Sequence, residues 1–228
     1  MSPDPANNNP VRSVNQIRSG NKVRSFVAVP LPAALQVAVL GTAHSLAARL
    51  PDIKWSRKAE NLHVTLTFLG QVDRELLARF TTALGSALGA RPRFEIHLRG
   101  VGAFPSLRNA QVIWVGIDDP SRQLGEIARI VGEVADQLAV GESEERRRRP
   151  FSAHVTIGRT PRRSHGAGDV TAALAPFADR AFGGVSVSEV HVYESITGGD
   201  ASTYVLRGTA MLEGATHGDG KERDQGSN

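Results

Sequence analysis

One tripeptide, His-Val-Thr, occurs twice in this chain of 228 residues, each time inside an apolar run rich in β-branched residues. The first copy begins at His63 and the second at His154. Side chains along a strand alternate between its two faces, so the His and Thr of each copy share one face while Val64 points the other way into a core. The repeat therefore predicts two equivalent strands that face each other across a symmetric cup. Such a cup offers two proton carriers and two hydroxyl donors, which suits a phosphate group.

Composition narrows the class of protein. A content of 40% hydrophobic and 22% charged residues is ordinary for a globular domain, and the length suits one sizeable domain or two small lobes. The chain has no cysteine, which excludes disulfides, zinc–thiolate sites and thiol nucleophiles and fits a reducing cytoplasm. The net charge of +4 permits an anionic partner without demanding one. The polar N-terminus lacks a signal-peptide core and no apolar stretch is long enough to span a membrane, so a cytoplasmic protein is expected.

Hydrophobic periodicity predicts alternating strands and helices between two polar ends. Residues 1–22 and 213–228 are predicted to be disordered extensions that flank a single domain over 23–212. Strands are predicted at 24–29, 62–69, 94–98, 112–117, around His154, at 185–195 and at 203–211. Helices are predicted from Pro32 to about 50, from the cap Asp73 to 88, from Ser121 to about 140, and over 169–177. Short strands joined by short turns favour an α+β fold with largely antiparallel sheets and helices on the outer faces.

The duplicated motif and its flanks resemble the two-histidine (2H) phosphoesterase superfamily, and within it the RNA 2',3'-cyclic phosphodiesterase (2'-5' RNA ligase, LigT-like) family. The segments that carry the resemblance span about 24–212; they are 24–29, 54–55, 60–70, 102–105, 112–116, 151–159, 193–195 and Tyr204. The resemblance implies a bilobal fold with pseudo-twofold symmetry, in which two sheets line a central cleft. It also implies metal-independent hydrolysis of RNA 2',3'-cyclic phosphate ends to 2'-phosphate, and in some members reversible 2'-5' joining of RNA ends.

The residue types suit this reaction. Opening a cyclic phosphodiester requires in-line attack by water and protonation of the departing ribose oxygen. Histidine, with an ordinary pKa of about 6.5, can serve as base when neutral and as acid when protonated, so His63 and His154 are the predicted catalytic pair. Thr65 and Thr156 are predicted to donate hydroxyl hydrogen bonds to the non-bridging phosphate oxygens. The symmetric motif leaves the acid and base roles open, although the resemblance implies His63 as acid and His154 as base.

Further substrate contacts are candidates only. Arg159 is a possible phosphate or RNA contact, but strict alternation places it on the face opposite His154 unless the strand ends or bulges at Gly158. Phe26 and Trp55 are candidate nucleobase contacts, whereas Trp114, inside an apolar strand, is predicted to belong to the core. The basic run 146–149 is either a solvated loop or a contact with the RNA backbone.

Several alternatives stay open at this level. No carboxylate or third histidine stands at ligand spacing near either motif, so no metal and no other cofactor is predicted. The substrate is expected to be an RNA end or a nucleotide 2',3'-cyclic phosphate. A 2'-5' oligonucleotide or another small cyclic nucleotide is the alternative, and a non-catalytic nucleotide-binding module is a third hypothesis. Binding alone would not need two titratable groups, which favours an enzyme, and a monomer without membrane contact is expected.

Overall fold

The computed structural model describes residues 21–141, 151–161, 166–196, 198 and 202–214. The strands are β1 (Lys22–Pro30), β2 (Lys54–Trp55), β3 (His63–Asp73), β4 (Phe94–Ser106), β5 (Asn109–Asp118), β6 (His154–Arg159), β7 (Ala181–Val187), β8 (Glu189–Ile196) and β9 (Thr203–Met211). The helices are α1 (Ala33–Ala47), α2 (Arg74–Leu88), α3 (Gln123–Gln137) and α4 (Thr171–Leu174), with 3-10 turns at Ala59–Asn61 and Ala175–Phe177.

The described strands form one antiparallel sheet that consists of two halves. Its order is β7-β4-β5-β6-β3-β1-β8-β9, and β2 lies beside β6. Strands β3 and β6 carry the two motifs and meet in the middle, where a single residue pair, Val64 with Val155, joins the halves. The predicted α+β class with largely antiparallel strands is therefore confirmed, and the two predicted sheets are the halves of one continuous sheet.

The helices cover one face of the sheet in a crossed arrangement. Helix α1 follows β1 but packs against β6 and β7 of the other half, while α3 follows β5 but packs against β3. Val64 and Val155 are fully buried on this covered face. Because side chains alternate along a strand, the His and Thr of each motif lie on the opposite face, which we call the open face.

The helix starts follow their local capping chemistry. Asp73 caps α2 as predicted, since its carboxylate accepts a hydrogen bond from the Glu75 backbone N–H at 3.0 Å. The prediction that Ser121 opens the next helix is wrong. Asp119 performs that role, with its carboxylate accepting from the backbone N–H groups of Gln123 at 3.2 Å and Leu124 at 2.8 Å.

Two further elements differ from the sequence prediction. The strand predicted over 185–195 is two strands, β7 and β8, which are separated at Ser188 because β7 pairs with β4 whereas β8 pairs with β1 and β9. The helix predicted over 169–177 is the four-residue α4 followed by a 3-10 turn. Periodicity over such short segments does not show which neighbouring strand each residue meets.

The described residues include both predicted domain boundaries. Lys22 is already paired with Asp73 at the start of β1, and Gly214 bridges to Pro92 after β9. The remainder of both ends and the basic run 146–149 lie outside the described residues, so the predictions made for them stay predictions. None of the described helices is long and apolar enough to cross a membrane.

Candidate active site

The two motifs meet where the halves of the sheet join. Val64 is the antiparallel partner of Val155. Continuing that register by one residue in each direction places His63 across from Thr156 and His154 across from Thr65. Each imidazole therefore faces the hydroxyl of the other motif, and all four side chains lie on the open face.

Both imidazoles are held in the same way. The Nδ1–H group of His63 donates to the Asn61 carbonyl at 2.8 Å, and that of His154 donates to the Ser152 carbonyl at 2.7 Å. A carbonyl oxygen only accepts, so Nδ1 carries the hydrogen in both rings. In each ring Nε2 is left as the atom that can take up or release a proton. The sequence does not reveal these anchors, because they are backbone atoms two residues before each histidine.

Aromatic rings surround His63. Phe26 stacks on its imidazole with ring centroids 4.8 Å apart, and Tyr204 meets it edge-on at 5.4 Å. Burial lowers the pKa of His63 from 6.5 to about 4, and the nearby positive charges of Arg159 and His154 act in the same direction. In the free protein at neutral pH, His63 is therefore uncharged.

His154 lies in a more open environment. Phe104 meets its ring edge-on with centroids 5.1 Å apart. Burial and the charge of Arg159 also lower the pKa of His154 below its ordinary 6.5. Because Arg159 acts on both imidazoles, its guanidinium lies near the junction of the two motifs.

A bulge in β6 explains how Arg159 reaches the open face. Trp114 of β5 pairs with Thr156, but the preceding Ile113 pairs with Gly158, so Ile157 is an extra residue. The extra residue reverses the alternation, and the Arg159 guanidinium donates to the Thr156 hydroxyl at 3.3 Å. The expected bulge at Gly158 is therefore present, with Ile157 beside it as the extra residue.

The first motif contains the same bulge. In β3 the residue after Thr65 is extra, because Ala28 pairs with Thr65 and Val27 pairs with Thr67. The position five residues after the histidine is Arg159 in the second motif and Phe68 in the first. Phe68 is 50% exposed and lies 6.1 Å from the Phe26 ring. Sequence reasoning overlooked Phe68 because strict alternation assigned it to the core.

The two predicted nucleobase contacts are placed differently. Phe26 is only 3% exposed and lies between the rings of His63 and Tyr193, so it has no free face for a base. The expectation that Phe26 binds substrate is corrected: its ring supports His63. Trp55 donates its indole N–H to the Leu50 carbonyl at 3.0 Å and its ring lies over Gly158. Among the described residues, the Trp55 ring makes no ring contact with either motif histidine.

Trp114 also departs from its prediction. Its neighbours Ile113 and Val115 are buried beneath the helices, so Trp114 lies on the open face and is not part of the core. It pairs with Thr156 on one side and with Gly102 on the other. Four apolar residues in succession, from Val112 to Val115, suggested a fully buried strand, but β5 is covered by helices on one face only.

Known proteins from other organisms have sequences similar to this one. An RNA 2',3'-cyclic phosphodiesterase of Archaeoglobus fulgidus is 35% identical over 137 residues, which cover 60% of this chain and 72% of the relative. A protein of the same name from Aeropyrum pernix is 36% identical over 141 residues, covering 60% of this chain and 74% of the relative. The family model of LigT-like phosphoesterases matches residues 29–114. The chain belongs to the LigT-like phosphoesterase family.

The LigT-like fold extends over most of the chain. The crystal structure of Escherichia coli LigT complexed with 3'-AMP matches with a TM-score of 0.61 at 25% identity, covering 84% of this chain and 98% of LigT. The family model ends at Trp114, before the second motif. His154 therefore lies outside the matched family model, and the β3–β6 register is what brings it to the first motif. Within the described residues, no group of three His, Asp or Glu side chains is placed to hold a metal ion.

Proposed function

We propose that this LigT-like protein hydrolyses RNA 2',3'-cyclic phosphate ends to 2'-phosphates, with His63 and His154 as the acid and base. The observation that carries the proposal is the matched pair of Nδ1 anchors, which leaves two Nε2 atoms for proton transfer beside two threonine hydroxyls. The names of the relatives from Archaeoglobus and Aeropyrum support the same reaction.

The phosphate would occupy the cup between the motifs. Thr65 and Thr156 donate hydroxyl hydrogen bonds to the non-bridging oxygens, and Arg159 adds a fixed positive charge. These interactions strengthen as negative charge builds on the oxygens in the transition state. Phe68, half exposed on the same face, is the aromatic ring best placed to contact a nucleobase on the His63 side.

The reaction needs one neutral and one protonated imidazole. The neutral ring accepts a proton from water through Nε2 as the water oxygen bonds to phosphorus. The bond from phosphorus to O3' breaks, and the protonated ring gives its Nε2 proton to that oxygen. The product is a 2'-phosphate with a free 3'-hydroxyl, and the two rings have exchanged protonation states. Proton exchange with solvent restores the starting state.

The substrate itself contributes to the protonation state. In the free protein burial lowers the pKa of both rings, to about 4 for His63. A bound phosphodiester carries a negative charge, which raises the pKa of the imidazoles beside it. The acid role that the family resemblance implies for His63 would therefore depend on the bound substrate. The singly protonated free enzyme becomes more abundant below pH 6.5, so kcat/KM should be bell-shaped with its optimum on the acid side of that value.

The proposal also includes a substrate, the absence of a metal, an oligomeric state and a location. An RNA end is the proposed substrate, and a small cyclic nucleotide or a 2'-5' oligonucleotide is the alternative. The reaction as proposed uses only this chain's own side chains, without a metal, in a monomer in the cytoplasm. None of these steps needs a membrane.

The test is thin-layer separation of products from a 2',3'-cyclic mononucleotide and from an RNA with a cyclic phosphate end, each with and without EDTA. We expect a 2'-phosphate product in the presence of chelator, with the RNA turned over at the higher kcat/KM. A 3'-phosphate product or loss of activity in EDTA would contradict the mechanism. Tight nucleotide binding without turnover would instead support the non-catalytic hypothesis.

A further inference from the structure

The half of the sheet that carries His154 presents an indole that the proposed reaction does not use. Trp114 is the register partner of Thr156, which belongs to the phosphate cup, and of Gly102 on the next strand. A Cβ atom at Gly102 would lie 2.4 Å from the Trp114 ring, and one at Gly116 would lie 3.2 Å from it. The ring therefore lies over the backbone of the neighbouring strand, in space that two glycines leave free.

Packing alone gives little reason for a tryptophan at this position. The indole Nε1–H is buried and has no acceptor within the described part of the chain. A buried donor without a partner is destabilising, and an apolar side chain would fill part of the same space without that loss. Trp114 as a residue nevertheless stays partly exposed, and its ring contacts that of Phe104, with centroids 5.2 Å apart. A large flat surface is thus held beside the phosphate cup.

Among the residues that the structure describes, the other half of the sheet has no counterpart to this surface. The residue that pairs with Thr65, as Trp114 pairs with Thr156, is the fully buried Ala28. The strand beyond Ala28 contributes His191, where the strand beyond Trp114 contributes Gly102. The indole surface is therefore a feature of the second half alone, and the pseudo-twofold symmetry does not require it.

We propose that Trp114 is the stacking surface for a second nucleobase, so that the cleft accommodates a nucleoside on each side of the phosphate. This inference rests on the proposed function, because it requires the phosphate to lie between the motifs. The matching ligand is a 2'-5'-linked dinucleotide. It forms when a 5'-hydroxyl takes the place of water: its oxygen bonds to phosphorus, its proton passes to the neutral imidazole, and O3' leaves with the proton of the other. Stacking on an aromatic ring tolerates any base, so little base preference is expected.

The experiment measures inhibition constants against hydrolysis of a 2',3'-cyclic mononucleotide. The inhibitors are 2'-5'-linked adenylyl-adenosine and adenosine 2'-monophosphate, tested on wild type, Trp114→Leu and Trp114→Phe. We expect Trp114→Leu to weaken inhibition by the dinucleotide about tenfold and to leave inhibition by the mononucleotide within about twofold. Trp114→Phe, which keeps a flat ring, should recover most of the loss.

Gly102→Ala provides an independent test that keeps the tryptophan. The added methyl group must displace the indole, so this variant should weaken dinucleotide inhibition selectively, and it should add nothing in a Trp114→Leu background. Gly41→Ala, at an exposed helix position with no atom within 4 Å of the new Cβ, is the matched control.

Fluorescence separates the two tryptophans of the chain. Saturating dinucleotide should quench emission in Trp55→Phe, where Trp114 alone emits, and should quench far less in Trp114→Phe.

The outcomes distinguish the two proposals. If wild type hydrolyses neither the cyclic mononucleotide nor an RNA with a cyclic phosphate end, the proposed function fails. If wild type is active, but Trp114→Leu weakens both inhibitors equally or neither, or if the dinucleotide does not inhibit wild type at all, the role of Trp114 is overturned while the proposed function stands.

Discussion

The two motif strands share one backbone design and differ in their surroundings. Each has a Nδ1 anchor two residues before the histidine and a bulge directly after the threonine. The rings of Phe26 and Tyr204 bury His63, whereas His154 is less buried and meets Phe104 edge-on. The shared anchor and bulge fix the positions of the two Nε2 atoms. The difference makes the two proton affinities unequal, which a reaction that needs one acid and one base requires.

Removing each imidazole while keeping its anchor should have the largest effect on activity. The side-chain amide of asparagine can donate to the same carbonyl as Nδ1, so His63→Asn and His154→Asn lose mainly Nε2. We expect kcat to fall about 10²–10⁴-fold in each, because each loses one acid–base group. Steady-state kinetics with circular dichroism as the folding control will check this. Retention of most activity by either variant would rule out a two-histidine mechanism.

The deeper burial of His63 should also make the free energy of unfolding depend on pH. The unfolded chain takes up a proton at His63 near pH 6.5, whereas the folded chain does so only near pH 4. The free energy of unfolding should therefore fall as the pH drops between these values, by about 3 kcal/mol from this one group. Urea unfolding of wild type and His63→Asn at both pH values isolates the effect. A parallel pH dependence in the two proteins would contradict the buried, neutral state of His63.

The two motifs also differ at the position five residues after the histidine, which is Arg159 in one and Phe68 in the other. Arg159→Met removes a cation that lowers the pKa of both histidines, so the kcat/KM optimum should move to higher pH as its maximum falls about 10- to 100-fold. Phe68→Leu should raise KM for a nucleotide several-fold with no shift of the optimum. Measured pH–rate profiles of the two variants give the test. A shift caused by Phe68→Leu would mean that the two positions do not have separate roles.

The two threonine hydroxyls allow a further comparison of the motifs. Thr65→Val and Thr156→Val keep the β-branched shape and each removes one donor to the phosphate, which should lower kcat/KM about tenfold. The effect of Thr156→Val should be the larger, because its hydroxyl also accepts the hydrogen bond from Arg159. Equal kinetics for both variants would show that this hydrogen bond does not position Arg159 for the reaction.

The sequence could reveal the parts of this site that repeat along one strand. Both His-x-Thr faces, the strands that carry them and the Asp73 cap follow from alternation and local capping chemistry. Features that depend on how strands pair with one another could not be predicted from the sequence. The bulges at Leu66 and Ile157 exist only relative to β1 and β5, and the rings around His63 come from strands far along the chain.

Trp114 illustrates the same limit from the opposite direction. Its apolar neighbours suggested a strand covered on both faces, and the sequence contains no sign that helices leave one face of β5 free. Gly102 and Gly116, which make room for the ring, become informative only when the β4–β5 register is known. Long-range pairing, which is not encoded in any short segment, decides between core and cleft.

The lone rung between the halves, Val64 with Val155, has a mechanical consequence. Both motif histidines lie one residue away from it, on strands that otherwise belong to separate ladders. The distance between the two imidazoles therefore depends on how tightly the two valines pack beneath the helices. A substitution that removes a methyl group there would let the distance between the two imidazoles vary without changing any residue near the phosphate. The packing of the hydrophobic core therefore sets the spacing of the two histidines.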